Sequence, residues 1–177
     1  MFNIVKSRRN KMFKFFIIVF LLSILFGIII YFKNKSTFIN LDVVGTLRSN
    51  NLYHILFTAI TYFSTIIIVG PILGIMFFSL EVASTVVITL SILSNLSITR
   101  VLEALCVILF KGIYLVLFIY LLTRSIKSVK YMLLKKEYVT GKLNVYLKEA
   151  IISSLIIIIF EITNYLFSYK LINLILK

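Results

Sequence analysis

The chain has 177 residues, of which 61% are hydrophobic and only 14% charged. Soluble domains are about 45–50% apolar and about 25% charged, so this composition excludes a soluble globular enzyme and a disordered protein. A single cysteine excludes a disulfide-stapled secreted domain. The 19 basic and 6 acidic residues give a net charge of +13. Beside apolar segments such cations set topology and meet anionic lipid headgroups, so we expect the lipid bilayer rather than nucleic acid as their partner.

The first predicted membrane helix follows a basic start. Residues 1–14 contain five cations and no acid, and residues 15–32 contain no charged side chain. A run of this length can cross about 30 Å of hydrocarbon at about 1.5 Å per residue. It is longer than the apolar core of a typical signal peptide, and no small-residue cleavage site follows it. We therefore predict an uncleaved anchor whose basic start, 1–14, lies in the cytoplasm.

The next apolar stretch is long enough for two crossings. A polar loop at 33–52 precedes 46 residues, 53–98, that carry only two ionisable side chains. Because one tilted helix uses about 20 residues, we predict helices at about 53–79 and 82–98. Glu81 falls where they would meet, which predicts that it marks the turn.

Two further positions in this stretch carry expectations. Gly70 and Pro71 are predicted to break the second helix, because proline removes a backbone donor and clashes with the preceding turn. His54 stands near the predicted membrane interface, where a lone histidine is usually solvated.

The remaining helices are predicted at about 101–123 and 150–168, on either side of a basic loop at 124–148 with seven cations. Five crossings place both basic segments of the chain in the cytoplasm, as the positive-inside rule requires. The prediction is one membrane domain over 1–177, an all-α polytopic bundle of five transmembrane helices. Its N-terminus faces in and its C-terminus faces out, across a bacterial cell membrane.

Part of the basic loop has apolar residues and lysines at helical spacing. This pattern predicts a short helix that lies on the cytoplasmic headgroups, its lysines near anionic lipid. The alternative is a docking site for a partner protein.

Two charges are predicted at membrane depth, where each costs about 2.5–3.5 kcal/mol on insertion scales. Lys111 lies midway along the fourth helix and Glu161 past the middle of the fifth. The two helices run antiparallel and place these residues at similar depths, so we predict a Lys111–Glu161 ion pair. Its role is either to lock two helices together or to relay a proton or ion, and the first is favoured because no second buried acid is near in sequence.

Two other acids have simple structural explanations. Glu103 is predicted in the first turn of the fourth helix, one turn from Arg100, where an acid suits the helix dipole. Glu81 is expected to cap the third helix.

Motifs for catalysis are not found in the sequence. One histidine and one aspartate cannot build a histidine-rich metal site or an aspartyl dyad. No nucleophile elbow, zinc-protease motif, P-loop or dinucleotide fingerprint occurs. We therefore expect no enzyme activity, no catalytic or metal-binding residue and no cofactor.

Four features occur in a characteristic order: asparagine at the start of the second helix, a glycine-proline break, an acid early in the fourth helix, and an acid before a short apolar tail. They lie at 50–52, at 69–74, at 98–105 with Glu103 and then Gly112, and at 159–175. Over about residues 50–177 this order resembles the stage II sporulation protein M family of small five-helix membrane proteins, although the Pro-His-Gly of many members is absent before Glu103.

The resemblance implies a membrane scaffold without enzyme activity. Sporulating members of the family hold peptidoglycan-degrading partners at the septal membrane, and Glu103 and Glu161 would be the family's polar positions. We therefore expect a multi-pass scaffold or interaction protein of a bacterial envelope complex, with envelope proteins as partners. The alternative is a small transporter or permease subunit with a site near Gly70-Pro71, Lys111 and Glu161, because transporters use broken helices and midplane charges.

Overall fold

The computed structural model describes residues 2–35, 43–65, 69–94, 97–135, 148, 151–152, 155–164 and 166–167. Every element in these ranges is an α-helix, so the predicted all-α class is confirmed. The helices are α1 (Phe2–Lys33), α2 (Val43–Thr65), α3 (Gly70–Leu93), α4 (Ile98–Lys135) and α5, described over Leu155–Asn164.

Three of these helices are long and apolar enough to cross a membrane: α1 over Phe13–Lys33, α3, and α4 over Ile98–Lys127. The distribution of polarity is inverted relative to a soluble protein. Large apolar side chains such as Phe32 are exposed, while several charged side chains are buried. Apolar side chains face outward where the surrounding solvent is hydrocarbon, so the expectation of a membrane protein is confirmed at this level.

The other two helices are less apolar or shorter. α2 has 23 residues but carries Arg48, Asn50 and Asn51 in its first half. The described part of α5, Leu155–Asn164, is an apolar helix of 10 residues. It lies within the fifth helix predicted at 150–168.

α3 lies at the centre of the described bundle and contacts α1, α2 and α4. α1 runs parallel to it, because the Phe16 ring meets Phe78 near one end and Gly27 meets Ala83 further along. Short connections make α2 and α4 antiparallel to α3. α1 and α3 therefore begin, and α2 and α4 end, at the same end of the bundle. We call this the basic end, because the sequence before Lys14 and after Thr123 is rich in cations.

The predicted boundary between the second and third helices is wrong. α2 ends at Thr65, and α3 runs unbroken from Gly70 to Leu93, so Glu81 lies in the middle of a helix rather than at a turn. Pro71 occupies the first turn of α3, where its missing N–H has no intrahelical partner to lose. It therefore begins a helix and does not break one.

Two helices also continue through segments predicted to lie outside the membrane. α1 begins at Phe2, within the predicted start 1–14, and α4 continues through 124–135. At about 1.5 Å per residue, the 38 residues of α4 measure about 57 Å, well beyond the thickness of a bilayer core. The short headgroup helix predicted in the loop is, over 124–135, the continuation of α4; residues 136–147 lie outside the described residues.

Side chains from all five helices contribute to the main apolar core. Phe16 comes from α1, Tyr62 from α2, Phe78 from α3, Phe118 from α4 and Ile157 from α5. The stacked rings of Phe57 and Phe77, 4.2 Å apart, join α2 to α3. A smaller cluster, formed by Ile88, Ile92, Ala104 and Val107, joins α3 and α4 near the opposite end.

Gly27 permits the close approach of α1 to α3. A Cβ atom there would lie 2.8 Å from the carbonyl oxygen of Ala83 and 3.0 Å from the Cβ of Val86. Backbone atoms cannot yield to such a contact as a flexible side chain can. By contrast, a Cβ atom at Gly112 would meet nothing within 4 Å.

We expect Gly27→Leu to lower the free energy of unfolding in detergent by about 1–3 kcal/mol, because overpacking forces α1 away from α3. Gly112→Ala serves as the matched control and should be neutral or stabilising by up to about 1 kcal/mol, since alanine favours helix more than glycine does. Denaturant titration followed by circular dichroism measures both. Equal effects of the two substitutions would contradict the close approach.

Candidate functional site

Four ionisable side chains from four helices meet inside the bundle. They are His54 of α2, Glu81 of α3, Lys111 of α4 and Glu161 of α5, with relative exposures between 1% and 6%. Glu81 follows the first residue of α3 by 11 positions and precedes the last by 12. At about 1.5 Å per residue it lies about 16 Å from either end, near the middle of the helix. We call these four residues the charge cluster.

His54 connects the two acids of the charge cluster. Its Nδ1 lies 2.8 Å from Oε1 of Glu161, and its Nε2 lies 2.9 Å from Oε1 of Glu81. The first contact has hydrogen-bond geometry, while the second is close in distance but poorly aligned. The histidine predicted to be solvated is therefore buried at the centre of the structure, and the sequence-based expectation for it is wrong.

Lys111 binds the same oxygen of Glu81. Its ammonium donates to Oε1 at 2.5 Å and lies 3.4 Å from the hydroxyl of Ser84. The predicted direct Lys111–Glu161 ion pair is thus wrong. The two residues do share one cluster, and they are linked through Glu81 and His54. Glu81, which the sequence predicts at a turn, is a second buried acid in this cluster.

Tyr114 supports the imidazole ring of His54. The two rings stack in parallel, with centroids 3.8 Å apart and planes 10° apart. The Tyr114 hydroxyl lies 3.4 Å from the backbone carbonyl of His54, to which it can donate. A cation above an aromatic face is attracted by the ring quadrupole, so this stack favours a positively charged imidazole.

Buried hydroxyl groups extend from His54 towards the basic end. Thr58, Thr61 and Thr65 follow His54 on one face of α2, and each donates to the carbonyl four residues earlier, at 2.6–2.8 Å. Thr65 also exchanges a hydrogen bond of 2.6 Å with Ser125 of α4. We call these four residues the hydroxyl stripe. Their exposures are 2% or less.

One buried polar atom lies on the other side of the cluster. The side-chain oxygen of Asn164, three residues beyond Glu161 on α5, has no hydrogen-bond partner among the described residues. Asn164 is only 8% exposed. The polar interior therefore continues beyond Glu161 along α5.

Glu103 lies apart from the cluster. α4 begins at Ile98, and Ser97 caps it by accepting the N–H of Arg100 at 3.3 Å. Glu103 therefore falls in the second turn, not the first as predicted. It is 3% exposed and accepts a hydrogen bond of 3.0 Å from Arg100.

Gly70 and Pro71 also lie away from the cluster. Glu81 lies eleven positions after Gly70 in α3, which amounts to about 16 Å. A Cβ atom at Gly70 would collide with the backbone of Thr61 and Thr65, so glycine permits the tight connection between α2 and α3. The site predicted to combine this dipeptide with Lys111 and Glu161 is not assembled.

A cavity of about 480 Å³ lies between α1, α3 and α4. Its walls are apolar apart from Thr85 and Thr89, whose hydroxyls bond back to the carbonyls of Glu81 and Thr85. Gly112 lies in its wall, and no member of the charge cluster lines it. The cavity is suited to apolar groups and offers no described route to the charges.

The described residues hold no group of three His, Cys, Asp or Glu side chains arranged for a metal ion. Within the charge cluster, the Lys111 ammonium occupies the position next to Glu81 that a cation would take. The cluster can exchange protons among its members, because each link joins a nitrogen to a carboxylate oxygen at 2.5–2.9 Å.

Sequence reasoning missed His54, Tyr114 and the hydroxyl stripe. One signal was present: His54, Thr58, Thr61 and Thr65 recur at spacings of four, three and four residues, which places them on one helix face. Four polar residues on one face of an otherwise apolar helix indicate a buried polar interface. Comparison with protein-family models, curated proteins and solved structures gives no match.

We expect Lys111→Met to cost about 3–5 kcal/mol of unfolding free energy, because it leaves a buried carboxylate without its cation. Adding Glu81→Gln should recover much of this loss of unfolding free energy. The variant then has no unpaired carboxylate at position 81, and the charge of Glu161 is balanced by His54. Denaturant titration in detergent measures the coupling in a double-mutant cycle.

Lys127→Met, which removes an exposed cation of the same helix, should change stability by less than about 0.5 kcal/mol. Additive effects of Lys111→Met and Glu81→Gln would contradict the pairing.

Proposed function

We propose that the chain is a multi-pass membrane scaffold or interaction protein of a bacterial envelope complex, in line with its resemblance to the stage II sporulation protein M family. The observation that supports the proposal is that the four side chains of the charge cluster are buried in contact with one another. These side chains do not line the apolar cavity between α1, α3 and α4. Such a cluster ties α2, α3, α4 and α5 together and leaves the outer surfaces of the helices for partners.

The same proposal includes five crossings, with the N-terminus inside and the C-terminus outside the plasma membrane. Two features support this topology. α1 and α4 extend beyond their apolar spans at the basic end, where positive charge favours the cytoplasm. The central position of His54 in α2 and the burial of Glu161 in α5 place both helices at the depth of Glu81, which favours their crossing the bilayer too.

As a scaffold, the protein would use its apolar outer faces to bind transmembrane helices of other envelope proteins. The cavity beside Gly112 is a natural contact point, because it is apolar and a larger residue fits there without a clash. Helices in membranes associate through close packing at such small residues.

We expect a photo-crosslinking amino acid at position 112 to give a discrete protein adduct in native membranes, because a partner helix would lie within its reach. Electrophoresis followed by mass spectrometry identifies the adduct. Leu109, exposed to the outside on the same helix, and Val107, fully buried, are the control positions. Lipid adducts alone at position 112, as expected at position 109, would contradict the scaffold.

A small transporter or permease subunit is the second candidate. One observation favours it: Glu81 and Glu161 are joined through His54, so a second buried acid is present to pass a proton onward. Chains of Glu and His side chains at membrane depth are typical of proton relays. The predicted broken helix, which was the other argument for a transporter, is not present, because Gly70 begins α3.

If the protein transports protons, liposomes containing it should acidify under an inward-driving potential faster than liposomes without protein. A trapped pH-sensitive dye measures the rate. Glu161→Gln should reduce the rate to that of empty liposomes, because it removes the terminal acid of the chain, while Glu103→Gln should leave it unchanged. Equal rates with and without the wild-type protein would exclude this candidate.

A further inference from the structure

We propose that the charge cluster is a binding site for one exchangeable proton, carried by His54 between Glu81 and Glu161 and reached from the basic end along the hydroxyl stripe. The site is independent of whether the protein acts as a scaffold or a transporter. It rests on the contacts of one imidazole ring and on the count of charges around it.

The contacts of His54 favour hydrogen on both ring nitrogens. An ionised carboxylate only accepts hydrogen bonds, and a neutral imidazole has one donor nitrogen and one acceptor nitrogen. Nδ1 and Nε2 each lie within 3 Å of a carboxylate oxygen. An acceptor nitrogen at either position would bring its lone pair to within 3 Å of a carboxylate oxygen and be repelled, less strongly at Nε2, where the contact is poorly aligned. The arrangement is satisfied by an imidazolium, or by a neutral ring once the extra proton has moved to a carboxylate.

The charge count leads to the same result. Among the described residues, the groups that face His54 are Glu81 on α3, Lys111 and Tyr114 on α4, and Glu161 on α5. The two carboxylates and one ammonium of this described set leave one negative charge, which a proton on His54 neutralises. Because an uncompensated charge in a dry interior is very costly, the cluster retains this proton as part of its fold.

Movement of the proton within the site needs no other reactant. When the Nδ1–H bond breaks, the proton forms an O–H bond with Glu161, and the imidazole and carboxylate become neutral together. The reverse step restores the ion pair. Both states have the same total charge, so the proton can be shared across the 2.8 Å contact.

The hydroxyl stripe is a row of buried polar groups between the site and the basic end. From His54 to Thr65, α2 advances by 11 residues, or about 16 Å, which is half the thickness of a bilayer core. The stripe ends at the contact of Thr65 with Ser125, beside the cations of the basic end. Hydroxyl groups both donate and accept, so they can pass protons where aliphatic side chains cannot.

Nitrogen NMR tests the site directly, because His54 is the only histidine of the chain. A sample labelled with ¹⁵N in histidine alone should show both ring nitrogens protonated at neutral pH. A spectrum of the wild-type protein with one protonated and one bare nitrogen would overturn the site, unless carboxylate infrared bands show a protonated glutamate in its place. The measurement needs no variant, so a folding failure cannot obscure it.

The protonation of the His54 ring nitrogens in three variants distinguishes the proton site from a merely packed histidine. In Glu161→Gln the negative charge of Glu81 is balanced by the positive charge of Lys111. His54 should therefore become neutral and carry a proton on only one of its two ring nitrogens. Lys111→Met and the control Glu103→Gln should leave both protonated. Two protonated nitrogens in Glu161→Gln would show that charge balance does not hold the proton, and would overturn the proposal.

Hydrogen exchange tests whether protons reach His54 along the hydroxyl stripe. Exchange of the His54 ring hydrogens with deuterated solvent should slow several-fold in Thr61→Val, which removes one hydroxyl of the stripe at nearly constant volume. Thr163→Val removes an exposed hydroxyl with the same bond to the carbonyl four residues earlier, and should leave the rate unchanged. Equal rates in both variants and the wild type would overturn the route.

Discussion

Charge balance around His54 is the constraint on which the bundle depends. An unpaired charge at membrane depth is costly, so the two buried acids need partners that compensate their charge. The four side chains of the charge cluster come from four different helices, and each contact therefore fixes one helix against another. The apolar surfaces that surround them cannot provide this fixation, since hydrocarbon chains attract an apolar side chain about as well as another helix does.

This constraint explains the central position of α3. Glu81 lies halfway along the helix and one of its oxygens receives both Lys111 and His54. The close approach of α1 at Gly27 and the insertion of Phe78 into the main core hold the same helix from its other sides. Polar fixation and small-residue packing thus act on one element, as is common in membrane bundles.

The cluster also bears on what the protein can do. The cavity between α1, α3 and α4 is mainly apolar, and no member of the cluster lines it. A proton needs only donors and acceptors in contact, and the charge cluster contains them. The structural role of the cluster and its capacity to hold a proton are therefore compatible, because the same three contacts provide both.

The sequence by itself determined the membrane class and the helical content, because uninterrupted apolar runs permit little else in a bilayer. It also identified Lys111 and Glu161 as buried charges. The partners of those charges were decided by the tertiary structure, since the contacts of His54 and Lys111 join residues that are far apart in the chain. The start of α3 at Gly70 rather than at 82 moved Glu81 from a turn to the centre of a helix. Proline is compatible with a kink or a first turn, and only packing against α2 selected between them.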